Sequence, residues 1–111
     1  MACPDPDHAV TVQIALATAR HIQGWQLTAQ QEAAAIADLR QAAGGRADLL
    51  GEHAGVALGF GESRHDAARY RQIARLCIAA GADTALMDRW TKIARQRASI
   101  TAATEGIPPP A

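Results

Sequence analysis

Three glycines set the first constraint on this chain. Gly51, Gly55 and Gly59 recur at a spacing of four within Gly51-Glu-His-Ala-Gly55-Val-Ala-Leu-Gly59. Residues four apart share one face of a helix, so the row predicts a strip without side chains along one side. Val56, Leu58 and Phe60 occupy the rest of the circumference, with Leu49 and Leu50 just before it. Each interior glycine costs a helix about 1 kcal/mol relative to alanine. A stretch carrying three of them stays helical only if something packs closely against it. Two arrangements satisfy that need: another helix of the same chain, or the row of a second copy in a homodimer. Close approach over small residues is familiar from membrane helices; in water, burial supplies most of the driving force.

The surrounding composition agrees with helices. The chain has 111 residues, 49% of them hydrophobic, and the aromatic side chains are Trp25, Phe60, Tyr70 and Trp90 alone. Alanine-rich, aromatic-poor sequence favours packed helices over sheets. Segment boundaries follow from capping and stop signals. Residues 1–8 read as a flexible lead containing Pro4 and Pro6, with Asp7 as the cap of a helix over 9–23. In that segment Val10, Val12, Ile14 and Leu16 alternate like a strand, whereas Val10, Ile14, Ala17 and His21 form a helical face, and the alanines decide for helix. Gly24 ends it, and Trp25 anchors the turn.

Thr28-Ala-Gln-Gln31 has the form of a capping box, opening a helix over 29–43 with Ala33, Ile36, Leu39 and Ala43 inward and Gly44-Gly45 as its stop. Arg46 or Asp48 opens the glycine-row helix, which fades at Gly59-Phe-Gly61. Ser63-Arg-His-Asp66 caps a helix over 64–80, where Tyr70, Ile73, Cys77 and Ala80 make a row beside Ala74 and Leu76. Gly81 closes it. Asp83 or Thr84 then caps a last helix over 84–103, with Leu86, Met87, Trp90, Ile93 and Ala94 inward. Gly106 and the proline-rich 106–111 tail follow. The expected fold is all-α: a compact bundle of about five helices with short connections, forming one domain over 9–105.

Formal net charge is zero, but its distribution is uneven. Residues 1–61 carry three basic and six acidic side chains, and residues 62–111 carry eight and five, so the halves stand at −3 and +3. Either the halves attract each other, or a basic surface awaits an acidic partner. That surface comprises Arg71, Arg75, Arg89, Lys92 and Arg95. Like charges three or four apart on a helix repel by a few tenths of a kcal/mol each, which an anion would relieve. Residues 70–97, two helices about the turn Gly81-Ala-Asp83, resemble a helix-turn-helix in outline. A recognition helix reads bases with its amino-terminal residues, however, and here that end carries Asp83 and Asp88.

No pattern for chemistry emerges. Gly61-Glu-Ser-Arg-His65 lacks the second glycine of a nucleophile elbow. Gly59 and Gly61 lack the third glycine of a dinucleotide fingerprint. Glu62 and His65 have the spacing of a helical di-metal ligand pair but no second pair. Cys3, Asp5, Asp7 and His8 cluster only in the lead. His53 reads as a half-buried histidine between helices, with a site built from His53 and His65 as the enzymatic alternative. The expectation is therefore a non-enzymatic protein-interaction module without metal or cofactor, self-associating or binding another protein, with DNA-binding regulation as the alternative.

Met1-Ala-Cys-Pro-Asp-Pro-Asp7 has neither the basic lead nor the apolar run of a secretory signal. No stretch approaches the ~18 apolar residues of a membrane span. The expected location is the cytoplasm. Ala37-Asp-Leu-Arg-Gln-Ala-Ala-Gly-Gly-Arg-Ala-Asp-Leu-Leu50 and Ala79-Ala-Gly-Ala-Asp83, followed by Trp90 and an arginine-rich helix, resemble a group of small helical proteins of high-GC actinobacteria. The resemblance spans about residues 30–98. It implies a bacterial, cytoplasmic, all-helical domain and carries over no functional residue.

Overall fold

The computed structural model describes residues 5–22, 26–61 and 67–104, the last six of them by backbone alone. These residues form five helices: α1 Pro6–His21, α2 Ala29–Ala43, α3 Ala47–Gly61, α4 Ala67–Ala79 and α5 Thr84–Thr104. The protein is an all-α bundle, and α3 is its axis. α5 makes the most extensive interface with α3, α4 packs on another side of it, and α1 touches it while pairing mainly with α2. α4 and α5, although consecutive, each lean on α3 and have no comparable interface with one another.

α1 starts earlier than its sequence indicates. Asp5, in place of Asp7, is the cap, its carboxylate accepting from the Asp7 N–H at 3.0 Å. Pro6 takes the first helical position, where its fixed φ and missing N–H cost nothing. Ile14, Ala17 and Thr18 are buried, whereas Val12 and Leu16, half of the strand-like alternation, lie exposed on the outer face. Gly24 and Trp25 lie outside the described residues, as does the Ser63–Asp66 box.

α2 shows the full capping box. The Gln31 N–H donates to Thr28 Oγ1 at 3.1 Å, and the Thr28 N–H donates to Gln31 Oε1 at 2.9 Å. Gly44 ends the helix at φ 56°, a left-handed conformation that glycine adopts without penalty. The inward face differs from the one expected. Ala35, Leu39 and Ala43 are buried, Ile36 is half-buried and Ala33 is exposed. Ala33, Ala34, Ala35 and Ala37 are chemically identical, so periodicity cannot choose among them.

On α4 the expected row holds: Ile73, Ala74, Leu76, Cys77 and Ala80 are buried and Tyr70 packs against them. Gly81 turns the chain at φ 108°. Asp83 caps α5 by accepting from the Ala85 and Leu86 N–H groups at 3.0 and 3.2 Å, and its own N–H donates to the Ala47 carbonyl at 3.0 Å. The same residue thus starts α5 and ties it to the first turn of α3. On α5, Met87 and Ala94 are buried, and Leu86, Trp90 and Ile93 are half-buried.

Candidate functional site

The glycine groove is filled by α5. A Cβ on Gly51 would stand 2.5 Å from the Asp83 carbonyl oxygen and 3.4 Å from Leu86 Cβ. On Gly55 it would stand 2.7 Å from Trp90 Cβ and 3.0 Å from the Thr91 nitrogen, and on Gly59 it would stand 2.6 Å from Ala94 Cβ. Successive turns of α5 therefore sit directly on the backbone of α3. The row is an internal packing groove, and a second copy has no access to it while α5 is seated. A fourth glycine, Gly61, works on another side. Its Cβ would stand 2.5 Å from Tyr70 Cδ2, so Gly61 lets the Tyr70 ring of α4 lie against the end of α3.

The basic residues divide into two sets. Arg75 on α4 pairs with Glu32 of α2, and its Nε donates to Gln72 Oε1 at 3.1 Å. The Arg75 hydrogen bond holds the Glu32 carboxyl below its ordinary range, against the opposing effect of burial. Arg71 is exposed on the same helix. The exposed side of α5 carries Arg89, Lys92, Arg95 and Arg97, with Asp88 as the one acid. Because α4 and α5 do not pack together, these sets do not form the joined unit a helix-turn-helix requires.

The acids of the amino-terminal half are largely engaged there. Arg20 and His21 both meet Asp38, at 3.0 and 2.9 Å. Arg46 joins Asp7 at 2.7 Å and Asp48 at 2.9 Å. The pKa values respond accordingly. The hydrogen bond from Arg20 lowers Asp38, that from Arg46 lowers Asp48, and its two carboxylates raise Arg46. Among the described residues only Arg75–Glu32 crosses between the two halves. Arg89, Lys92, Arg97 and Arg71 have no carboxylate partner among the described residues.

A feature the sequence did not disclose lies between α1, α3 and α4. A hollow of about 350 Å³ is bordered by Ala15 and Thr18 of α1, His53 and Phe60 of α3, and Arg69 and Tyr70 of α4. Thr18 Oγ1 lies 2.9 Å from His53 Nε2 and 3.0 Å from the Ile14 carbonyl. One hydroxyl proton serves only one of these, so when it goes to Ile14 the imidazole must donate through Nε2. Burial lowers the His53 pKa by penalising the cation. Arg69 Nε donates to the Ile22 carbonyl at 3.0 Å, and its guanidinium lies 5.9 Å from the Tyr70 ring centroid. The only advance signal was a lone histidine in an apolar helix; its partner, 35 positions away, leaves no local trace.

Among the described residues no three metal-ligating side chains converge, and no helix is long and apolar enough to cross a membrane. His65, Glu62 and Cys3 lie outside the described residues. Comparison with family models, curated proteins and solved structures yields no match to this chain.

Proposed function

We propose that this chain is a non-enzymatic helical binding module whose α5 presents a cationic face to an acidic protein partner. One observation carries the reading: cations and acids are unequally spent. Asp7, Asp38 and Asp48 are engaged by Arg20, His21 and Arg46 within the amino-terminal half, while Arg89 and Lys92 stand exposed on α5 with no carboxylate partner among the described residues. Complementary charge of this kind steers encounter and sets specificity.

The reading also accounts for the glycine row. A groove that seats α5 backbone-to-backbone fixes the orientation of its outer side, and rigid presentation reduces the entropy lost on binding. Self-association, if it occurs, proceeds through a surface other than the groove. The DNA-binding alternative draws on the same cations. It is the weaker reading because α4 and α5 do not pack together as a joined unit and Arg75 is engaged by Glu32.

The test is capture from a source-cell extract by the tagged chain, with and without nuclease, beside the double variant Arg89→Glu and Lys92→Glu. A nuclease-resistant protein catch that the variant loses, at an unchanged unfolding temperature, is the expected result. A catch abolished by nuclease moves the assignment to nucleic acid. A catch indifferent to the charge reversal removes α5 from the interface.

A further inference from the structure

We infer that the hollow between α1, α3 and α4 binds a small carboxylate with a planar apolar body. The site shares no residue with α5, so it stands apart from the partner surface proposed above. Its volume of about 350 Å³ lies at the small end of the roughly 300–1,000 Å³ that ligand pockets occupy. The hollow opens to solvent past the exposed Ala15 and Ala19 and has buried Ile73 among its walls, so a ligand has a way in and an apolar surface to cover. Alanines at 15, 19 and 57 keep the walls back, and Phe60 and Tyr70 offer aromatic faces. Those walls suit a flat apolar body.

The polar groups select its head. Arg69 is held by the Ile22 carbonyl through Nε and by the Tyr70 ring, which orients its planar fork. Its other guanidinium donors have no carboxylate among the described residues. A guanidinium so placed matches one carboxylate in geometry and charge. His53, whose cation burial disfavours, serves as a neutral hydrogen-bonding group, and its Nε2 is already engaged with Thr18. Among the described lining residues Arg69 is the one cation, set among apolar walls, which fits a monoanion. A nucleotide's phosphates would demand more positive charge than these described residues hold.

The experiment is titration of the full chain with benzoate and with its neutral counterpart benzamide, followed through backbone amide resonances. Benzoate should give saturable shifts at residues 15–19, 53–60 and 69–73, and benzamide should bind about tenfold more weakly, the value of one charge-assisted hydrogen bond. Arg69→Gln should erase that preference. Ala15→Leu, at an exposed position on α1 that the fold tolerates, should weaken both probes. Absence of saturable shifts, shifts centred elsewhere, equal binding of the two probes by the unaltered chain, or an Ala15→Leu variant that binds unchanged would each overturn the assignment.

Discussion

At the scale of single residues, the glycines of α3 show two effects in competition. Gly55→Ala gains about 1 kcal/mol of helix propensity. The added methyl, however, would stand 2.7 Å from Trp90 Cβ, and overpacking of this kind costs about 1–3 kcal/mol or more. The clash wins, because backbone of α5 stands in the way and cannot rotate aside. Denaturant titration should show net destabilisation of about 1–2 kcal/mol with an unchanged slope. Gly44 has open space around it but φ 56°, so Gly44→Ala should cost about 1 kcal/mol through strain alone. His53 supplies a pH test. Its folded pKa lies below the ordinary value of about 6.5, so between those two values the unfolded chain binds more protons. Stability should therefore fall as pH drops through that window, and His53→Gln should remove this part of the slope. Cys77 supplies another. Burial pushes its thiol up to about 12, so thiolate is scarce at neutral pH. In a Cys3→Ser background, alkylation should track opening of the fold and accelerate sharply in denaturant; rapid labelling of the native protein would contradict the burial.

At the scale of elements, α5 depends on its start. Asp83→Ala removes the acceptor for two N–H groups and should cost about 1 kcal/mol in a thermal or denaturant melt, the usual value of a cap. The end signals of the helices were the most legible part of the sequence. Thr28 with Gln31, Gly44, Gly81 and Asp83 act through neighbours a few positions away, and the structure uses each as its chemistry suggests. Pro6 misled, because a proline that breaks a helix interior also favours a helix start. Faces were harder to read. Leucine and isoleucine at helical spacing located the inner side of α4, whereas the run of alanines in α2 left its rotation open. The glycine row announced close packing correctly in kind, but the identity of its occupant depends on tertiary arrangement. So does the meeting of Thr18, His53 and Arg69 around one hollow.

At the scale of the whole molecule, charge is settled locally on one side and left outward on the other. The cationic face of α5 is the consequence, and its proposed role carries a salt signature: added salt should weaken capture of an acidic partner while leaving the unfolding temperature nearly unchanged, since exposed charges contribute little to stability. The order of helices along the chain adds a constraint in time. The axial helix, α3, is the third to be synthesised, yet the helix that covers its glycine strip is the fifth. Gly59 precedes Thr84 by 25 positions, an interval of about 1–5 s at ~5–20 residues per second. During that interval the nascent chain carries a bare strip of helix backbone with its own cover still unmade. A ribosome stalled between these positions should hold a chain whose α3 amides exchange rapidly, and release of α5 should protect them in a single step.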